Sequence, residues 1–147
     1  MLNIELWIYL MPYQTIDHTA DLGIVVQAVS VESLFKEAAR ALSELIAGKR
    51  VFKSVEEIRI SVSGSDWPDL MINWLRELLY LWNGKNRVPG PVDIRKMERF
   101  ALEAAVMVDN TPCEPHDVLN DIKAVTYHQI SVENQAADWQ ARIIFDI

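Results

Sequence analysis

"IKAVTYHQISVENQAADWQARIIFDI", residues 122–147, decides the fold class. Apolar and polar residues alternate along 122–132 and again along 139–147, the period of a half-buried strand. Only "ENQAAD" (133–138) separates the two runs, short enough to predict an antiparallel hairpin. Alternation sets Ile122, Ala124, Thr126, His128, Ile130 and Val132 on one face of the first strand. It sets Ala141, Ile143, Phe145 and Ile147 on one face of the second, and both sets read as core-facing. Opposed residues share a face, so two registers satisfy the pattern. With Val132 facing Ala137, Lys123 lies opposite Asp146; with Val132 facing Trp139, Val125 lies there and Lys123 is one step beyond. Either register puts Lys123 and Asp146 on one face at one end of the hairpin, beside the carboxylate of Ile147.

Outward from the hairpin, Ile58, Ile60 and Val62 alternate with polar neighbours and predict another strand. "FALEAAVMVD" (100–109) combines helix-forming Ala and Leu with strand-like alternation and is read as a strand. Two segments carry helical spacing. In "SVESLFKEAARALSELIAGK" (30–49) the stripe runs from Val31 through Leu34, Phe35, Ala38 and Leu42 to Ile46, with Ser30 capping the start and Gly48 the end. In "SDWPDLMINWLRELLYLWNG" (65–84) it runs from Leu70 through Trp74 and Leu78 to Trp82. Ser65 or Asp66 caps that helix, Pro68 fits its first turn and Asn83-Gly84 is expected to stop it. Tyr80 and Leu81 widen the stripe, so this helix is sandwiched or at an interface, and its Trp-rich face reads as core. "GKNRVPGPVD" (84–93) reads as a surface loop. The whole predicts a single α+β domain: mixed, largely antiparallel β-sheets with two main helices packed on them.

A chain of 147 residues, 50% hydrophobic, can bury one core without staples and is too apolar for disorder. Its formal charge is −7, and only 85–87 and 95–99 approach a basic patch. That balance argues against direct, tight nucleic-acid binding and favours a protein partner or a cation. The single cysteine, Cys113, excludes an internal disulfide, fits a reducing cytoplasm and reads as a passive thiol in a Pro-flanked loop. "MLNIELWIYLM" (1–11) falls well short of the ~20 apolar residues of a membrane helix. It lacks the basic start and cleavage site of a signal peptide. It reads as an N-terminal extension ahead of a domain over 12–147, with Met11 as an alternative first residue; no membrane association is expected.

"DHTAD" (17–21) crowds His18 between Asp17 and Asp21 where one extended run gives way to another. By itself a Lys123–Asp146 pair is a surface ion pair worth little. The carboxylates of Asp146 and Ile147 repel, however, and Lys123 or a cation must hold them together. A third carboxylate from elsewhere in the chain would complete an oxygen-only set, which suits Ca²⁺ or Mg²⁺ and not structural zinc. His18 reads as a support that orders its turn behind such a site. His128 reads as a buried core histidine, and His116 with Asp117 and Asp121 as a solvated loop.

Four stretches in order, "YQTIDHTADLGI" (13–24), "DLMINWLRELLY" (69–80), "IKAVTYHQISV" (122–132) and "IIFDI" (143–147), together resemble the archease family over residues 12–147. The resemblance implies a small cytoplasmic protein that assists an RtcB-type RNA ligase in joining tRNA halves and other cleaved RNAs. It implies promotion of ligase guanylation and of multiple turnover, a metal site built from Asp21, Asp146 and Ile147, and a requirement for Lys123. The expectation is therefore a non-catalytic accessory factor carrying a divalent cation, Ca²⁺ ahead of Mg²⁺ or Mn²⁺, and touching RNA only through its partner. Three alternatives stand beside it: a chaperone or specificity modulator of a tRNA cytosine methyltransferase, a free-standing metal-dependent hydrolase, and a holdase using the Trp-rich helix. No Gly-rich phosphate loop is present to cradle a nucleotide. Two segments depart from the family pattern: "QAVSVES" (27–33), where a glycine is frequent, and "DNTPCEPHD" (109–117), which replaces a Gly-Glu segment.

Overall fold

The computed structural model describes residues 13–18, of which 14–18 by backbone alone, and residues 21–147. The expected extension over 1–11 lies outside the described residues. The elements are β1 (Tyr13–His18), β2 (Asp21–Ala28), α1 (Val31–Ala47), β3 (Val55–Ser63), α2 (Trp67–Lys85), β4 (Pro89–Glu98), β5 (Ala101–Asp109), β6 (Ala124–Asn134) and β7 (Trp139–Asp146). They form a four-stranded sheet in the order β1-β2-β7-β6 and a three-stranded sheet in the order β3-β5-β4. Among the described residues every strand pairing is antiparallel, so the expected mixed character reduces to two separate antiparallel sheets. α1 packs on β2 and β4, α2 on β6 and β3, and the helices pack on each other, so one apolar core joins both sheets. No helix among the described residues is long and apolar enough to cross a membrane.

The helices follow their sequence signals closely. Ser30 Oγ accepts the Ser33 N–H at 3.1 Å at the start of α1, and Gly48 ends it at φ 68°. Asp66 caps α2 by accepting the Asp69 N–H at 2.8 Å. Trp74 is wholly buried, and its Nε1–H donates to the Phe35 carbonyl at 3.0 Å, so the indole both fills the core and joins the helices. β1 is fastened to α1 by the Tyr13 hydroxyl, which donates to Glu44; burial and that carboxylate push the phenol up to about 12. "FALEAAVMVD" supplies β5, the centre of the three-stranded sheet, where pairing on both edges overrides its helix-forming composition.

Two expectations are corrected. α2 does not stop at Asn83-Gly84 but runs to Lys85, and Asn86 ends it in the left-handed region at φ 53°. There the Asn86 and Arg87 N–H groups return to the Trp82 and Leu81 carbonyls, both at 2.9 Å, and asparagine is among the few non-glycine residues that accept this geometry readily. Gly84 is instead a close-approach site, since a Cβ there would sit 2.6 Å from the Tyr80 ring. The expected loop over 84–93 shrinks accordingly, because β4 starts at Pro89. Its prolines are tolerated on an edge strand whose register shifts between Pro89 and Val92.

The second correction concerns the hairpin. Val132 pairs with Ala141, not with Ala137 or Trp139, and at the far end Ala124 pairs with Asp146. Between Thr126 and Ser131, four residues of β6 (127–130) span the length of the single residue Ile143 on β7, and Gln129 sits at φ 54°. This odd excess of chain inverts the alternation. Val125 therefore faces the core opposite Phe145, at 3% exposure, while Ala124 and Thr126 turn to the other face. His128, expected inside, is exposed on the inserted segment.

One buried carboxylate pins the end of the three-stranded sheet. Asp109 is 1% exposed and accepts N–H groups from Thr111 (2.9 Å), Lys53 (3.3 Å) and Ser54 (3.4 Å), with the Arg50 guanidinium at 3.5 Å. The backbone donors, Thr111 first, hold its carboxyl below the usual carboxylate range despite burial. A depressed folded-state value stabilises the fold above the unfolded-state value of about 4 and ceases to do so as pH falls through the folded one. Asp109→Asn should therefore melt about 5 °C below the parent at neutral pH. That gap should narrow in thermal melts taken at successively lower pH; a gap constant from pH 7 to pH 3 would contradict the assignment.

Candidate metal centre

The register that buries Leu22 against Phe145 puts Asp21 directly opposite Asp146 at the end of the β2–β7 pair. Opposed residues share a face with Cβ atoms ~4.5–5.5 Å apart. Leu22 and Phe145 point into the core, so the two aspartates stand on the other face. Asp146 is exposed and Asp21 half-buried. One rung inward on the same face, Ile144 is 1% exposed, flanked by Gly23 on β2 and Thr126 on β6. The Thr126 Oγ1 is buried and has no hydrogen-bond partner among the described residues. The carboxylates thus stand where a dry, largely apolar rung gives way to solvent.

The other predicted residues arrive at this end by different routes. β1 brings the backbone of His18 opposite Asp21, while the side chains of Asp17 and His18, with Thr19 and Ala20, lie outside the described residues. Lys123 precedes β6 and is not opposite Asp146; Ala124 is. Its backbone N–H donates to the Asp146 carbonyl at 2.8 Å, and its carbonyl accepts from Asn83 Nδ2 at 3.3 Å. Ile147 follows Asp146 and is 43% exposed. Asp21, Asp146, Ile147 and Lys123, drawn from both ends of the chain, meet at one corner of one sheet. His116 does not join them: its Nε2 lies 3.5 Å from Asp117 in an exposed turn. Cys113 is buried in the apolar core, and its Sγ lies 3.8 Å from the neighbouring Glu114 carbonyl oxygen. Asn83 belongs to the corner and was read from sequence only as a helix stop, since a lone asparagine at a helix end carries no other signal.

Two like charges on opposed positions destabilise a sheet. Among the described residues neither aspartate takes part in an ion pair within 4.0 Å, nor does Lys123. A hard cation would relieve that repulsion, and carboxylate oxygens are the donors it prefers. No three His, Cys, Asp or Glu side chains converge on one position among the described residues. Asp21 and Asp146 bring two side-chain carboxylates to this end of the sheet, fewer oxygens than the roughly six to eight that Ca²⁺ takes. The corner is open to solvent. By contrast, a cleft of about 420 Å³ beside α1, lined by Lys36, Arg40, Lys49, Phe52 and Pro91 among others, includes none of these residues.

The chain can be set beside known proteins on this geometry. Residues 13–147 match the model of the Archease protein family. The protein archease of Methanopyrus kandleri is 29% identical over 144 residues, covering 93% of this chain and 100% of its own length. That of Pyrococcus furiosus is 31% identical over 135 residues, covering 89% of this chain and 95% of its own. The solution structure of Methanobacterium thermoautotrophicum protein 1598 superposes with a TM-score of 0.75 at 24% identity, covering 92% of this chain and 99% of that one, and so shares the fold. With a family match that takes in both central strands, both helices and the carboxylate corner, the chain belongs to the archease family.

Proposed function

We propose that this chain is a cytoplasmic accessory factor of an RtcB-type RNA ligase and acts through a divalent cation held at the sheet corner. The carrying observation is the Asp21–Asp146 opposition, with Lys123 hydrogen-bonded to the same rung. Asp21, Asp146 and the Ile147 carboxylate hold the ion, and Lys123 sets one mobile ammonium beside it. When bound, the cation supplies fixed positive charge for phosphate oxygens. The protein's part is to fix the carboxylates on rigid central strands and to leave the outer side of the site clear for a partner's groups.

Three features support an accessory role over an enzymatic one. Family membership points to it. Asp146 and Ile147 are exposed at the corner, whereas catalytic sites are concave and exclude water. The net charge of −7 disfavours a grip on RNA, leaving contact to the partner. Ca²⁺ is the favoured ion because it tolerates irregular oxygen geometry, with Mg²⁺ and Mn²⁺ as alternatives; Mg²⁺ demands near-octahedral coordination and dehydrates reluctantly.

Ligation with RNA in excess over the partner ligase tests the reading. Asp146→Ala should abolish stimulated multiple turnover and weaken Ca²⁺ binding about 10- to 100-fold, because ligand charge sets affinity at such sites. Its melting temperature in metal-free buffer should stay within about 2 °C of the parent, since a surface carboxylate facing another contributes little to folding. Undiminished turnover by this variant would refute the mechanism. Lys123→Ala should separate the two roles, losing stimulation while its calorimetric Ca²⁺ titration stays within about threefold of the parent, since an ammonium donates no oxygen to the ion and a flexible exposed charge contributes little to a surface ionic site.

A further inference from the structure

Between the short 3₁₀ turn at Pro115–Asp117 and β6, the segment "LNDIK" (119–123) has no regular secondary structure, yet it is fastened at successive residues. The Leu119 N–H donates to the Ile46 carbonyl and the Asn120 Nδ2 to the Leu45 carbonyl, both at 2.7 Å. Those carbonyls belong to the last turn of α1, where the helix itself offers no partner. Ile122 is wholly buried. Lys123 is then held on both sides, its N–H by the Asp146 carbonyl at 2.8 Å and its carbonyl by Asn83 Nδ2 from the end of α2 at 3.3 Å.

A lysine is a point charge on a flexible stem, so its reach is set by where its Cα stands and where its Cα–Cβ bond aims. Fixing both flanking peptide groups fixes both. Asn120 and Asn83 bind carbonyls 75 and 40 residues away in sequence, so each carboxamide ties this short segment to the C-terminal turn of a different helix. We infer that Asn83 and Asn120 are positioning residues for Lys123, holding it beside Asp146 without themselves touching the cation or a substrate. The inference rests on the reading in which Lys123 acts at the corner, and it adds a device that the "DNTPCEPHD" departure makes necessary: a loop of unusual sequence must still deliver Lys123 to a fixed place.

The test uses the full chain with Asn120→Asp, Asn83→Ala and Lys123→Ala. Asn120→Asp keeps the shape and replaces the N–H donor with a carboxylate that the Leu45 carbonyl repels, so it breaks the hydrogen bond; Asn83 is exposed, so its alanine variant folds even if the other does not. The asparagine variants should raise amide hydrogen exchange at Lys123 about tenfold, the loss expected for one hydrogen bond. They should also lower stimulated ligation by about tenfold and leave the calorimetric Ca²⁺ affinity within about threefold. A purely structural cap on the helices would lower the melting temperature and leave exchange at Lys123 and ligation unchanged, and that result overturns the inference. Full stimulation by both asparagine variants, while Lys123→Ala loses it, overturns the inference alone. Full stimulation by Lys123→Ala overturns the functional reading of Lys123, and this inference falls with it.

Discussion

The antiparallel pairing of β2 with β7 is the constraint on which the molecule depends. It joins a strand that begins at residue 21 to one that ends at residue 146, and these two are the central strands of the four-stranded sheet. Ile24, Val26, Ile143 and Phe145 are wholly buried along it. A slip of one residue would turn every one of them to the opposite face, so the core admits a single register. The opposition of Asp21 and Asp146 follows without further specification. Burial of Leu22 against Phe145 fixes the next rung, and the next rung is the pair of carboxylates. The site is placed by the hydrophobic core and not by its own polar contacts.

The elements whose signal is local were readable in advance. Both helices carry an apolar stripe, a capping side chain and a terminal residue within one short window, and the structure places them within a few residues of those marks. The alternation of β7 was readable for the same reason. What failed was alternation carried through an irregularity. Nothing in "TYHQI" distinguishes an outward insertion from a continuing strand, because Thr, Tyr and Ile all favour extended backbone and the left-handed Gln129 has no glycine to announce it. The end of α2 was misplaced because Asn83-Gly84 is a common stop signal, and only the position of the Tyr80 ring reveals why a glycine stands inside the helix.

For the corner, identity was legible and placement only partly so. Lys123 and Asp146 meet at one end of the hairpin as expected under either register, but it is Ala124 and not Lys123 that stands opposite Asp146 and shares its face, and Asp21 entered only through the family resemblance. The observed link to Lys123 is a backbone hydrogen bond, to which side-chain identity gives no clue. The asparagine contacts from α2 and to α1 join segments that no periodicity relates. A like-charged rung without an ion-pair partner among the described residues, at the end of the central strands, also runs against the local rules that the rest of the chain obeys. Such violations are what a site imposes on a fold that is otherwise self-consistent.

The outward insertion in β6 has a consequence for how copies of the chain coexist. β6 is the last strand of its sheet, and a last strand offers its unpaired side as a template on which another chain can be added. Residues 127–130 break that template in the middle, and Tyr127 is turned aside, its hydroxyl donating to Asp69 at 3.0 Å with the Arg76 guanidinium 5.1 Å from its ring centre. On this edge no long flat stretch remains for a neighbour to zip onto. The irregularity that breaks the alternation thereby also interrupts this edge of the four-stranded sheet as a template for intermolecular pairing.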